Sequence, residues 1–187
     1  LKTNILPVQS ENGRKYFEYA LNLSIKLKRK EYADFIRGLT PIIVDLFKLA
    51  LQKECNIDIH SYTKKKKGVE HWDPNKLDHT IKGIFEKHYN REFKYGPVYS
   101  AHLKILLLRF SRNSQLKNLT ENLRIIEENI RNIAAHEIVS ITDRKIKKLT
   151  EFTGNQIMDM LIDYFSFTGL EIAADSWKSY DNLNEMI

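Results

Sequence analysis

Arg131 and His136 stand five residues apart in the string Arg131-Asn132-Ile133-Ala134-Ala135-His136. A guanidinium stays charged and presents a planar fork of donors that suits phosphate oxygens, while an imidazole moves a proton near neutral pH. Together they supply what cleavage of an RNA phosphodiester needs, one group to hold the phosphate and one to carry the proton. Spacing alone says little, because nine arginines and six histidines scattered over 187 residues give about 0.9 such pairings by chance. The filling says more. A polar Asn132 follows the arginine, and Ala134 and Ala135 precede the histidine, small enough to let a second helix come close.

The segment carrying this string predicts a long amphipathic helix. Asn118 and Glu121 make a capping box, Leu123, Ile126, Ile130 and Ile133 form an apolar stripe, and Arg124, Glu127 and Glu128 form a charged face. Five residues of helix amount to about 7.5 Å of rise and leave Arg131 and His136 on different faces. Both reach one site only where the helix is distorted or where a second copy completes the cleft. The alternative is structural: Arg131 pairs with Glu127 or Glu128 one turn back, and His136 is a core or helix-end histidine.

The rest of the chain predicts further helices around this one. Apolar residues at helical spacing mark Arg14 to Lys30 through Phe17, Leu21, Ser24 and Leu27, with cations Lys26, Lys28, Arg29 and Lys30 at its end. Glu31 to Glu54 carries two apolar rows, Phe35, Leu39, Ile42, Leu46 and Leu49 beside Ile36, Ile43, Phe47 and Ala50. That pattern marks a helix buried on most sides, with a kink or break expected at Thr40–Pro41. Residues 56–75, with Lys64, Lys65, Lys66, Lys67 and Gly68, read as a solvated loop, the alternative being a nonspecific tether for RNA phosphates. Two shorter helices follow, Asn75 to Tyr89 and Pro97 to Phe110. Tyr89, Arg91, Phe93, Lys94, Tyr95 and Tyr99 lie between them as a basic-aromatic patch that either fills core or stacks bases. A last helix runs from Thr142 to Tyr164 with Gly154 as a weak point, and Trp177 and Tyr180 dock the tail. Arg144, Lys145, Lys147 and Lys148 crowd its start, where cations oppose the macrodipole, so RNA phosphates or the acids Asp143 and Glu151 must compensate them.

Composition bounds the function classes. At 187 residues the chain predicts one domain with a real core, and its single cysteine, Cys55, can form neither an internal disulfide nor a zinc cluster. The net charge of +6 favours anionic partners. His60, His71, His79 and His88 match no familiar metal spacing, so neither metal nor cofactor is expected. No apolar run suits a bilayer or a secretory signal, and a cytoplasmic protein without membrane contact is expected. A chain opening on Leu1 reads as a piece of a longer protein.

An all-α bundle whose penultimate long helix carries this string resembles the HEPN ribonucleases. The match is closest to the form in the ancillary ribonucleases of type III CRISPR systems, the Csm-six family. The residue-level resemblance rests on Arg131, Asn132, Ala134, Ala135 and His136. It implies a homodimer through the motif helix, with paired arginines and histidines forming a composite, metal-independent site for single-stranded RNA. His136 would be general acid or base, Arg131 would hold the phosphate, and Asn132 would orient the phosphate or the motif. Arg144, Lys145, Lys147 and Lys148 are candidate RNA contacts. The resemblance also implies an amino-terminal α/β sensor for cyclic oligoadenylate, and no alternating strand–helix pattern of that kind is present here. Two other readings stand beside it: a non-catalytic HEPN module that binds nucleotides or a partner, and a helical DNA-binding regulator, for which no short helix-turn-helix stands out.

Overall fold

In a computed structural model of the chain, residues 8, 10–136, 141–173 and 176–177 are described, residues 131–136 by their backbone alone. Among these residues the expected α-helical bundle is found, with one short hairpin. Its helices are α1 (Glu11–Lys28), α2 (Tyr32–Cys55), α3 (His79–Tyr89), α4 (Ser100–Phe110), α5 (Ser114–His136), α6 (Asp143–Thr150) and α7 (Gly154–Tyr164). No described helix is long and apolar enough to cross a membrane.

The centre is α2. Phe35, Ile36, Leu39, Ile42, Ile43, Leu46, Phe47, Ala50 and Leu51 are all buried, on rows wide enough to meet α1 on one side and α4 and α5 on the others. Of the kink or break expected at Thr40–Pro41, the break does not occur: α2 runs through Pro41, which sits on an exposed position where the missing N–H donor lies on the solvent side. In α1 the buried row is Gly13, Phe17, Ala20, Leu23 and Leu27, so Leu21 is only half-buried, one position away from the row read in the sequence.

Residues 63–72 form a hairpin rather than a loop. Strand β1 (Thr63–Lys66) pairs antiparallel with β2 (Val69–Trp72), Thr63 opposite Trp72, through a two-residue turn in which Lys67 (φ 50°) and Gly68 (φ 80°) both take the left-handed conformation. Such turns match strand twist and favour glycine at the second position. The lysines line the exposed strand positions, while Thr63 and Trp72 are buried. Pro97 belongs here too. Instead of opening α4 it lies in an extended segment beside β2, where Trp72 N–H donates to Gly96 O and Val98 N–H to Glu70 O.

A polar cluster pins the hairpin to α2. Glu70 accepts from Lys48 Nζ (2.6 Å), His60 Nδ1 (2.6 Å) and Thr63 Oγ1 (2.6 Å). Burial pushes the Glu70 carboxyl up, but the bonds from Lys48, Thr63 and His60 outweigh it and hold the group down at about 2. Behind Lys48, Tyr16 OH donates to Asp45 (3.3 Å), and burial together with the Asp45 charge raises the phenol to about 12.

The carboxy-terminal helix predicted as one is two. α6 ends at Glu151 in the left-handed conformation (φ 70°), and α7 restarts with Thr153 and Gln156 as a capping box. Gly154 is required by a close approach: a Cβ there would sit 2.5 Å from Leu27 Cδ1, and its N–H donates to Asp143 Oδ1 at 2.7 Å. The start of α7 is thereby stitched to the first turn of α6 and to α1. Trp177 docks as expected, its ring 4.9 Å from Phe17 and 5.0 Å from Phe165, while Tyr180 lies outside the described residues.

One charged residue of α5 is not on its surface. Glu127, read as part of the charged face, is 2% exposed, accepts from Ser100 Oγ at the first turn of α4, and lies 3.8 Å from Arg124. Its position on the helix falls toward α4, and the serine lets that face close over a carboxylate.

Two outcomes follow. Glu127→Ala removes a buried, bonded carboxylate and is expected to cost about 2–4 kcal/mol in urea unfolding; a loss under about 0.5 kcal/mol would mean the group is not held inside. Because the folded Glu70 titrates below its unfolded value, its stabilisation is complete above about pH 4.5 and fades as pH falls toward 2. Glu70→Gln is therefore expected to lower the melting temperature by roughly 2–6 °C at pH 7, with the gap to wild type closing below pH 4.5; a gap that is constant with pH contradicts the assignment.

Candidate functional site

The string Arg131 to His136 occupies the last turns of α5. The helix opens a turn earlier than the sequence suggested, with Asn113 Oδ1 accepting from Leu116 N–H. From there Leu116, Leu119, Leu123, Ile126 and Ile130 are buried against the bundle, and Thr120 Oγ1 shares a 3.0 Å hydrogen bond with Tyr164 OH inside it. Asn129 Nδ2 donates to Leu149 O at 3.0 Å, fastening the helix to α6 just before the string begins. The core therefore sets the direction and rotation of α5 up to Ile130. The side chains of Arg131, Asn132, Ala134, Ala135 and His136 lie outside the described residues. The two carboxylates offered as structural partners of Arg131 both have Arg124 beside them, Glu127 at 3.8 Å and Glu128 at 3.7 Å.

The cations after the string are placed differently from the expectation. Since α6 has only eight residues, Lys147 and Lys148 fall in its last turn, where positive charge is favoured. Asp143 occupies the first turn, and Thr142 caps it by accepting from Lys145 N–H. The macrodipole conflict inferred for a long helix thus largely disappears. Arg144, Lys147 and Lys148 are exposed and Lys145 is half-buried, on a helix that packs against α5.

On the other flank of α5 lies a groove that the sequence reading missed. α3 contributes Thr80, Gly83, Ile84, Lys87 and His88; α4 contributes Ala101, Lys104, Ile105, Leu108 and Arg109; α5 contributes Glu121, Arg124 and Glu128. Each set repeats at three- and four-residue intervals, so each is one stripe of its helix. The cavity measures ≈ 1040 Å³. A smaller hollow, bordered by Arg91, Lys94 and Tyr99, adjoins it and shares Tyr89, Ala101 and Arg124 with it. The signal was available in those stripes, whose lysines and arginines alternate with small and apolar residues.

The aromatic patch between α3 and α4 divides. Phe93 is buried and stacks on Phe85 at 4.7 Å, whereas Tyr95 and Tyr99 are 38% and 45% exposed. His102 lies within this cluster, accepting from Trp72 Nε1–H at 3.0 Å; burial lowers its imidazole to about 4, so it is neutral at pH 7. Among the described residues no three His, Cys, Asp or Glu side chains come together in a way that could hold a metal ion.

The family model of the Cas_Csm6 HEPN domain matches residues 5–187. The chain is 27% identical over 183 residues to the CRISPR system endoribonuclease Csm6 of Mycobacterium tuberculosis, across 94% of this chain and 39% of that protein. Its fold is similar to that of Enterococcus italicus Csm6 bound to cyclic hexa-2'-fluoro-hexa-dAMP, with a TM-score of 0.71 at 13% identity, covering 99% of this chain and 44% of that one. The chain therefore spans less than half the length of these relatives. With a match along nearly its whole length, on a helical bundle whose fifth helix ends in the Arg–His string, the chain belongs to the Csm6 HEPN-domain family.

Proposed function

We propose that this chain is the catalytic HEPN domain of a CRISPR-associated endoribonuclease, cutting single-stranded RNA without a metal at a site made by two copies. The observation that carries the reading is α5 itself, helical as far as His136 with the Arg–His string in its last turns. On such a helix positions 131 and 136 are about 140° apart. A site drawing on both positions is completed when two copies related by a twofold axis bring the ends of their fifth helices together. Ala134 and Ala135 allow the close approach.

The reaction is transesterification. The ribose 2′-oxygen attacks its own phosphorus as His136 takes the hydroxyl proton or delivers one to the departing 5′-oxygen. The P–O5′ bond breaks, leaving a 2′,3′-cyclic phosphate and a 5′-hydroxyl. Arg131 holds the phosphate and offsets the charge that grows on its oxygens, and Asn132 orients the phosphate or the motif. Arg144, Lys145, Lys147 and Lys148 on α6 hold the strand beside the site. DNA is inert because it lacks the 2′-nucleophile. The whole protein carries a further, amino-terminal sensor, and the cyclic hexanucleotide bound to Enterococcus italicus Csm6 is the kind of ligand such a sensor takes.

In an RNA cleavage assay containing EDTA, wild type is expected to cut single-stranded RNA and leave the DNA of the same sequence intact. His136→Ala loses about 10²–10⁴-fold in rate while keeping its fold and self-association, and Arg131→Ala loses comparably. Cleavage that needs added metal, or that survives both substitutions, rejects the mechanism. A wild type that self-associates but cuts nothing identifies a binding module instead.

A further inference from the structure

The geometry points to the groove between α3, α4 and α5 as the track that holds the single-stranded RNA on one side of the scissile bond, a binding site separate from the Arg–His string. The inference rests on the proposed ribonuclease reading for its ligand, and on four features of the groove for its place.

Charge is the first. The groove and the adjoining hollow are bordered by six cations, Lys87, Arg91, Lys94, Lys104, Arg109 and Arg124, against the three carboxylates Glu92, Glu121 and Glu128. The chain as a whole carries 30 cations to 24 acids, so positive charge is concentrated here. Arg124 lies beside both Glu127 and Glu128, and with that pair set aside five cations face Glu92 and Glu121.

The floor is the second. Ile84, Ile105 and Leu108 line the groove between its charged rims, and Tyr89 and Tyr99 border its far end, with Arg91 stacked over Tyr89 at 5.7 Å. A cationic rim over apolar and aromatic surface is what a flexible strand needs, phosphates outward and bases inward.

Gly83 is the third. It lies inside α3, where glycine costs about 1 kcal/mol relative to alanine, and a Cβ added to it would meet nothing within 4 Å. No packing contact among the described residues calls for a glycine here, yet the residue lines the groove. A bare backbone facing an open cavity gives a ligand room to lie against the helix.

Direction is the fourth. The stripe of α5 that borders the groove, Glu121, Arg124 and Glu128, continues along the same helix to position 131, two turns beyond Arg124. A strand lying in the groove is thereby led toward position 131, while α6 packs against a different face of α5.

The test measures binding and cutting separately in the intact protein. Binding uses a labelled, 2′-O-methylated single-stranded oligonucleotide, which the proposed chemistry cannot cut, titrated at several salt concentrations. Lys87→Glu combined with Lys104→Glu is expected to weaken binding about tenfold or more and to flatten the salt dependence by about 1–2 in slope. Gly83→Leu, which fills the groove without changing charge and favours the helix, is expected to weaken binding about threefold or more with melting temperature maintained or raised. In cleavage, the ratio of turnover on a long oligomer to that on a dinucleotide falls about tenfold in the lysine variant. Groove variants that bind with wild-type affinity and wild-type salt slope overturn the proposal, as does loss of self-association by sedimentation with RNA affinity unaltered, which would make the groove a seat for a second copy. If wild type cuts neither substrate, the catalytic reading fails while the binding titration still decides the groove.

Discussion

The burial of one face of α5 against α2, α4 and α7 is the contact on which everything else depends. Leu116, Leu119, Leu123, Ile126 and Ile130 take one side of the helix out of water, and their burial contributes about 1.5–3 kcal/mol for each large side chain. Rotation of the helix about its axis is then no longer free. Polar locks sharpen the setting: Thr120 meets Tyr164 within the core, Glu127 is closed over by Ser100, and Asn129 grips the last turn of α6. The backbone of the final turns, positions 131–136, continues the same helix, since a rigid helix transmits the placement of its buried turns to the turns beyond them.

That orientation also divides the surface around α5 into two unlike flanks. On one side α6 brings exposed cations, made compatible with helix electrostatics by its shortness and by Asp143 in its first turn. On the other, α3 and α4 leave a channel with a charged rim and an apolar floor. A strand crossing the end of α5 would pass from one flank to the other. Positions 131 and 136 are offset by about 140° on this helix, and the proposed twofold site rests on that offset.

The hairpin and the split of the last helix show where pattern reading fell short. Four consecutive lysines read as a solvated loop, and they are solvated; the strand character comes from Thr63 and Trp72, which are buried opposite each other, and from Glu70, which bonds Thr63 across the hairpin, His60 before it and Lys48 on α2. Lys48 stands 22 residues before Glu70 on another element, so this anchor does not show in the local pattern. The break between α6 and α7 was visible only as a glycine of low helix propensity, whereas its reason is a contact with Leu27, more than a hundred residues earlier. Pro41 misled in the other direction, because proline on an exposed face of a long, well-buried helix is tolerated by the packing of the other faces.

The sequence by itself determined the helical class, the buried rows of α2 and α5, and the candidate chemistry of Arg131, Asn132 and His136, because periodicity and residue type are local properties that no distant contact alters. Tertiary structure alone decided that Glu127 is interior, that Lys147 and Lys148 close a short helix instead of opening a long one, and that stripes from three separate helices meet in one groove. Each of these depends on which faces are opposed across the bundle, and that is set by the simultaneous burial of all the apolar rows, a condition on the whole chain that no single segment contains.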